Sequence, residues 1–195
     1  MLITHLSVKN WRNFRLVDVP LRQRQFIIGP NASGKSNLLD VFRFLRDVAS
    51  SQGGGLQAAV SARGTVSKLR SLAARQDPTI RIEVRVDEAP DQDDATWRYI
   101  LAFRQESSGH RRVLVTEEKV WRGSDLALDR PDKEDAGDEQ RLTQTALEQI
   151  NANRAFRELA EYFEKTTYLH LVPQLLRHSD EIQARTMAND PFGQS

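Results

Sequence analysis

The sequence contains no cysteine, so disulfide bonds and thiolate metal sites are excluded. It also lacks an excess of either charge, because 28 Lys and Arg residues face 27 Asp and Glu residues, for a formal net charge of +1. This balance gives no global reason to expect a nucleic-acid ligand. Arginine heavily outnumbers lysine, however, and could form a local basic face.

Long apolar runs are missing as well. Lys9, Arg12 and Arg15 interrupt the amino-terminal segment, which therefore does not resemble a signal peptide. No stretch is long enough to span a bilayer. These absences predict a soluble, cytoplasmic protein without a membrane partner, and the length of 195 residues suits one ordinary domain with its own core.

The strongest pattern in the sequence is the segment Gly29-Pro30-Asn31-Ala32-Ser33-Gly34-Lys35-Ser36, which satisfies G-x-x-x-x-G-K-[ST] at every fixed position. The apolar residues 26–28 before it predict a buried strand. Apolar residues recur at helical spacing after it, at Leu38, Val41, Phe42, Leu45 and Val48. This strand, loop and helix context predicts a phosphate-binding loop and argues against a glycine-rich turn that binds nothing.

The chemistry of such a loop depends on its backbone. Successive N–H groups form a concave anion site, and the following helix adds its free amides and the positive end of its dipole. Lys35 would supply a point charge to the outer phosphates, and Ser36 would place a hydroxyl on the magnesium ion that bridges them. The pattern therefore predicts a site for nucleotide phosphates with Mg²⁺.

The rest of the chain predicts strands and helices around this loop. Alternating residues at 2–8 and 17–21 predict two strands before it. Between them lies a polar turn with aromatic anchors. The helix after the loop is predicted to end near Ser50, before a glycine run, and residues 56–75 predict one or two short helices.

Alternation from about 79 to 121 predicts three antiparallel strands in a β-meander. Residues 124–140 are polar and predict a long surface loop. A helix is predicted over about 141–165, most clearly at Phe156, Leu159, Ala160 and Phe163. Residues 178–195 show no periodicity and are expected to be a flexible or truncated tail, which leaves 1–177 as the domain.

Three segments together resemble the amino-terminal half of ABC-type ATPase heads. They are Asn10-Trp11-Arg12-Asn13-Phe14, the loop with Asn37 after it, and the meander. The resemblance is to the RecF, SMC and OLD group, which includes many AAA-family ATPases. In that group the loop commonly reads G-x-N-x-S-G-K-S-N and the early motif N-F-[KR]-x-F, where Trp11 here replaces Phe. The resemblance implies an α/β P-loop NTPase fold. That fold is an incomplete ABC-type head, with a mixed sheet, an antiparallel meander lobe and flanking helices.

The resemblance implies ATP and Mg²⁺ as cofactors, and it implies roles for individual residues. Arg12 would lie near the nucleotide phosphates, and Ser36 would bind the metal. Gln174 follows a predicted strand and matches the Q-loop glutamine, which contacts the metal and the attacking water in such proteins. The nucleotide-binding residues implied are Arg12, Gly29, Asn31, Ala32, Ser33, Gly34, Lys35, Ser36 and Asn37.

A complete head also has a signature segment around L-S-x-G and a Walker B strand that ends in Asp-Glu. Residues 84–88 imitate Walker B, but Glu83 and Arg85 alternate with the apolar residues, whereas a central parallel strand is apolar on both faces. Ser107-Ser108-Gly109 is explained by a hairpin turn. No catalytic acid is therefore identified. The isolated chain is expected to bind Mg-ATP weakly and to hydrolyse it negligibly.

Three functions are compatible with these patterns. In the first, ATP joins two heads, as a homodimer or with a partner chain, and hydrolysis releases them. The signature and Walker B elements would then come from a longer chain or from the partner chain. Relatives in this group act in DNA repair or in defence against phage, so DNA or a nuclease is a candidate partner. The second is a nucleotide-gated binding module without hydrolysis. The third is a small P-loop kinase, which would not explain the two strands before Gly29.

Overall fold

The computed structural model describes residues 1–71, 77–89, 96–107 and 111–169. Residues Met1–Lys165 form one compact unit. A second unit comprises Thr166–Ser195, of which residues 166–169 are described and contain neither helix nor strand. The boundary expected at residue 177 therefore lies outside the described residues.

The compact unit is built on one sheet of six strands in the order β2-β1-β3-β4-β5-β6. Every neighbouring pair is antiparallel. The strands are β1 (Leu2–Trp11), β2 (Phe14–Pro20), β3 (Ile80–Asp87), β4 (Trp97–Gln105), β5 (Val113–Arg122) and β6 (Asp125–Arg130). Strands β3, β4 and β5 form the expected antiparallel meander, which confirms this part of the fold class.

Helices cover one face of the sheet. They are α1 (Lys35–Ala49), α2 (Leu56–Ser61), α3 (Val66–Leu69), α4 (Lys133–Gly137) and α5 (Arg157–Glu164), with 3-10 helices at Glu139–Thr143 and Ala152–Phe156. In α1 the buried residues Val41, Phe44, Leu45 and Val48 follow helical spacing and face the sheet. In the part of the chain that the structure describes, no helix has the length and apolar character needed to cross a bilayer.

Aromatic contacts join α1 to two strands of the sheet. The ring centroid of Phe44 lies 5.2 Å from that of Trp11 in β1 and 5.4 Å from that of Phe103 in β4. Further along the sheet, Tyr99 of β4 lies 5.8 Å from Phe163 of α5. All five of these large rings are buried in the hydrophobic core between the helices and the sheet.

The strand predicted at residues 26–28 does not form. Phe26 and Ile28 are 83% and 94% exposed. A strand needs a neighbouring strand to bond its N–H and C=O groups. In the described ranges, all the strands belong to the antiparallel sheet, and none of them pairs with residues 26–28. The described residues therefore form an antiparallel sheet and not the expected mixed sheet, since all five strand pairs are antiparallel.

The polar segment 124–140, predicted as a surface loop, is ordered as β6, α4 and the first 3-10 helix. Arg130 donates to Asp135 at 3.0 and 2.8 Å and to Glu118 at 3.1 Å. All three side chains are buried. The surface-loop prediction was wrong because polarity alone does not show whether side chains face solvent, and here Arg130 and Asp135 pair inside the protein.

The helix predicted over about 141–165 is also broken. Only α5 and the 3-10 helix before it are helical in its second half, and they bury the predicted apolar residues. The carboxylate of Glu118 accepts the backbone N–H groups of Ala146 at 2.7 Å and Leu147 at 3.2 Å. Because a buried acid from β5 takes these amides, the segment turns there and no continuous helix runs through it.

Candidate nucleotide-binding site

The predicted phosphate loop leads directly into α1. Lys35, the first residue of α1, folds back and donates from Nζ to the carbonyl oxygens of Gly29 at 2.8 Å and Pro30 at 2.7 Å. Among the described residues no side chain caps the amino terminus of α1, whose N-cap is Gly34, and the first turn of α1 contains no acidic residue. The helix therefore presents amide groups and an uncompensated positive dipole end, which suit a phosphate group.

Gly34 is the tightest point of the loop. Its φ of 103° lies in the left-handed region. A Cβ atom there would lie 2.5 Å from Nδ2 of Asn13 and 2.8 Å from Cζ of Phe14. Glycine is required for both reasons, since a side chain would be strained and would push away the turn between β1 and β2.

The turn between β1 and β2 docks onto this loop through side-chain hydrogen bonds. The indole Nε1 of Trp11 donates to the carbonyl oxygen of Asn37 at 2.9 Å. Asn13 donates to the carbonyl oxygen of Ser33 at 3.4 Å and accepts from the side chain of Asn37 at 2.8 Å. The two segments singled out in the sequence, 10–14 and 29–37, are thus brought together.

The backbone of this turn is held in an unusual conformation. Asn10 and Arg12 have φ values of 61° and 51°. The N–H of Arg12 donates to Leu69, and the carbonyl oxygen of Asn10 accepts from Ser71 at 3.0 Å. The Asn10 side chain donates to the carbonyl oxygen of Thr79 at 2.8 Å. These hydrogen bonds to Leu69, Ser71 and Thr79 hold the strained backbone of Asn10 and Arg12 in place, so the fold determines the position of Arg12.

The side chain of Arg12 pairs with Asp40, with Nη2 and Oδ2 2.9 Å apart. Asp40 lies on α1 and also pairs with the buried Arg63, which follows α2. Sequence reasoning named Arg12 but missed Asp40, Arg63 and the role of Asn13. An acid five residues after Lys35, on the helix that follows the loop, was the available signal for Asp40, whereas nothing local marks Arg63.

The residues that imitate Walker B lie elsewhere. Asp87 is buried at the end of β3, where its carboxylate accepts from the N–H of Thr96 at 2.9 Å and from the hydroxyl of Thr4. It pairs in register with Leu2, at the end of β1 opposite Trp11. At about 3.3 Å per residue, β1 separates Asp87 from the docked turn by about 30 Å. Asp87 therefore stabilises a hairpin and is remote from the phosphate loop.

The donor set suits phosphate better than a protein-bound metal. Among the described residues, no group of three or more His, Cys, Asp or Glu side chains could hold a metal ion. The hydroxyl of Ser36 is exposed in the first turn of α1. That arrangement fits Mg²⁺, which usually takes few protein ligands and completes its shell with phosphate oxygens and water. Gln174, and Ser108 and Gly109 of the hairpin segment, lie outside the described residues.

The sequence is similar to those of known proteins that are named for DNA replication and repair. The "DNA replication and repair protein RecF" of Roseiflexus castenholzii is 30% identical over 49% of this chain and 26% of the relative. The protein of the same name from Clavibacter sepedonicus is 30% identical over 45% of this chain and 22% of the relative. The chain thus spans about a quarter of the length of these curated relatives.

A family model described as "AAA domain, putative AbiEii toxin, Type IV TA system" matches residues 26–189, which include the phosphate loop, the meander and α5. The match covers most of the sequence. The chain therefore belongs to this AAA family, as an amino-terminal ABC/RecF-like ATPase region with a P-loop NTPase fold.

Proposed function

We propose that this chain is the ATP-binding half of an ABC/RecF-like ATPase, in which Mg-ATP joins two heads and hydrolysis releases them. The observation that carries the proposal is the uncapped amino terminus of α1 behind a complete phosphate loop, with Lys35 in its first position. Docking of the β1–β2 turn through Trp11 and Asn13 supports it, because this contact preorganises the loop for a ligand.

In this proposal each element of the loop has one task. The amides of residues 31–36 bind phosphate oxygens, and Lys35 leaves its two carbonyl partners to contact the outer phosphates. Ser36 offers its hydroxyl to Mg²⁺, which when bound neutralises charge on the phosphate oxygens. Gln174 is proposed to approach the same metal. Positioning and electrostatic stabilisation thus account for the chemistry that these residues can perform.

The signature and Walker B elements are proposed to come from residues outside this chain, in the same polypeptide or in a partner. The exposed apolar segment 26–28 supports this part of the proposal. In the proposed head, a neighbouring strand pairs with residues 26–28 and buries Phe26 and Ile28, which are an exposed apolar patch in this structure. Without it, the chain is expected to self-associate or to require a partner.

The cellular role is proposed at a coarser level. Relatives named as DNA replication and repair proteins support a role in DNA repair, with DNA or a nuclease as partner. The family description names a putative toxin of a toxin–antitoxin system. A role in defence against phage is proposed from the resemblance to the RecF, SMC and OLD group. The cytoplasmic location stays a prediction from the sequence.

Binding of Mg-ATP by Lys35→Ala tests the site. Loss of a charged hydrogen-bonding group should weaken binding by about tenfold or more, measured by calorimetry or with a fluorescent ATP analogue. Lys119→Ala is the matched control, because Lys119 lies on β5 and pairs with Asp129. Equal affinities of the Lys35 variant and the unaltered chain would refute the nucleotide site.

A nucleotide-gated module without hydrolysis is the second candidate, and the distance of Asp87 from the loop favours it. Phosphate release from ATP by the purified chain distinguishes the two. We expect negligible turnover from this chain alone and measurable turnover when the missing elements are supplied. Robust turnover by this chain, abolished by Lys35→Ala, would show that it contains an unrecognised catalytic acid. Family membership and the antiparallel strands before the loop do not fit a small kinase.

A further inference from the structure

The carboxylate of Asp40, on the helix that follows the phosphate loop, accepts more hydrogen bonds from one arginine than from another. Asp40 receives a single bond from Arg12, between Nη2 and Oδ2 at 2.9 Å. Arg63 binds both oxygens of the same carboxylate from Nε, at 3.0 and 3.1 Å. Its Nη2 also lies 2.9 Å from Oδ1, but makes no hydrogen bond within the described part of the chain. Most of the compensation of the Asp40 charge therefore comes from Arg63.

Arg63 is fixed by further contacts that do not involve Arg12. Its side chain is 5% exposed, and Nη1 donates to Asp47 and to the carbonyl oxygen of Ala59, at 2.9 and 2.8 Å. The guanidinium lies 5.3 Å from the centroid of the Phe44 ring. Asp40 would therefore keep a buried, well-placed cation if Arg12 moved away.

Arg12 is held less completely than Arg63. Its side chain is 28% exposed and uses one nitrogen for Asp40, while Nε is buried and has no hydrogen-bond partner in the described part of the chain. The residues on either side of Arg12 bond to Asn37 and Ser33 of the loop and α1. The guanidinium of Arg12 thus has unused N–H donors, and it lies where the β1–β2 turn contacts the phosphate loop.

We propose that Arg12 is an exchangeable phosphate ligand, which Asp40 holds in the absence of nucleotide and releases when nucleotide phosphates bind. The proposal rests on the proposed nucleotide function and adds that Asp40 competes with the ligand for Arg12. Exchange leaves no uncompensated charge, because Asp40 keeps Arg63 and Arg12 gains a phosphate. Asp40 and Arg63 are positioning residues, and the competition keeps the affinity for nucleotide below that of a fully free arginine.

A double-mutant cycle on the 195-residue chain tests the exchange. Dissociation constants for Mg-ATP are measured for the unaltered chain, Asp40→Asn, Arg12→Ala and the double variant. Because the pair is partly exposed, Asp40→Asn should tighten binding by about two- to fivefold, and Arg12→Ala should abolish that gain. Asp47→Asn is the matched control: it removes an equivalent carboxylate from Arg63 without touching Arg12, and should leave the affinity unchanged.

Two results would overturn the exchange. If Asp40→Asn increases the affinity for Mg-ATP equally with and without Arg12, the effect is a general one of charge. If Asp40→Asn and Asp47→Asn both lower the affinity, Asp40 has a structural role only. If Asp40→Asn does not fold, an NMR measurement on the unaltered chain tests the exchange instead. The signal to follow is the Nε–H resonance of Arg12, which is assigned because it is missing from the spectrum of Arg12→Lys. It should shift on addition of Mg-ATP, and an unmoved resonance at saturation refutes the exchange. Absence of any ATP binding would instead refute the proposed function.

Discussion

Two clusters of charged residues in this protein differ in how many of their hydrogen-bonding groups have partners. The loop-side cluster consists of Arg12, Asp40, Arg63 and Asp47, and the meander-side cluster consists of Glu118, Arg130, Asp135 and Arg141. In the meander-side cluster Glu118 and Asp135 are fully buried and accept several hydrogen bonds each. In the loop-side cluster Arg12 is partly exposed, and Nε of Arg12 and Nη2 of Arg63 are buried without a hydrogen-bond partner among the described residues.

The difference separates charges that hold the fold from charges that remain available to a ligand. Burial raises the pKa of Glu118, although the amides of Ala146 and Leu147 and the cation of Arg130 oppose the increase. Hydrogen bonds from Arg130 hold the pKa of Asp135 well below its ordinary value of 3.8, against the effect of burial. Such a closed network stabilises one arrangement of β5, β6 and α4, whereas an open one permits a change of partner.

The largest effect is expected from Arg130→Met. This change leaves two buried carboxylates without their shared cation, which should lower the free energy of unfolding by about 3–5 kcal/mol. Urea unfolding followed by circular dichroism measures it. Arg141→Met is the control, because Arg141 is 42% exposed and its loss should cost about 1 kcal/mol or less. Similar costs for both variants would contradict the structural role of the meander-side cluster.

A smaller, pH-dependent effect is expected from Asp135→Asn. A carboxyl whose folded-state pKa is lowered contributes stability above its unfolded pKa, here 3.8, and loses it as the pH falls further. The variant should therefore cost about 1–3 kcal/mol at neutral pH and progressively less below about pH 4. Unfolding curves across this range measure the difference. A cost that does not vary with pH would contradict the lowered pKa of Asp135. Asp129→Asn is the control, because Asp129 forms a half-exposed pair with Lys119 and its replacement should change stability little at any pH in this range.

The smallest effect on stability is expected from Arg12→Met. Because Arg63 continues to bind Asp40, the free energy of unfolding should fall by about 1 kcal/mol or less. Affinity for Mg-ATP should fall at the same time, so stability and binding are separated in one variant. Comparison with Arg130→Met in the same unfolding assay sharpens the contrast between the clusters. A loss of stability as large as that of Arg130→Met would show that Arg12 is part of the framework.

The sequence was most informative where structure depends on local periodicity. The alternation in β3 and the helical spacing in α1 predicted both elements, and Val41, Leu45 and Val48 are buried as predicted. The buried Phe44 of α1 was missed, and Glu83, expected on the exposed face of β3, is buried. Prediction failed where a segment depends on distant partners. Residues 26–28 have the composition of a strand but no neighbouring strand in the described ranges, and the polar segment 124–140 is ordered by Glu118, which comes earlier in the chain.

The candidate site shows the same division. Lys35 and the glycines form a local pattern, so the phosphate loop could be identified from the sequence, and the resemblance added Arg12. The pairing of Asp40 with Arg63 joins residues 23 positions apart, on α1 and after α2. No spacing rule links them, because the contact depends on how the two helices pack.

The hydrogen bond from Trp11 to Asn37 also has a spectroscopic consequence. This indole is buried and bonded to the first turn of the helix that carries Lys35, so its emission depends on the geometry of that turn. Trp97 and Trp121 instead stack against Arg122 and Arg98 on the meander. Trp11 is therefore an intrinsic fluorophore on the loop side of the molecule, with two reference indoles on the other.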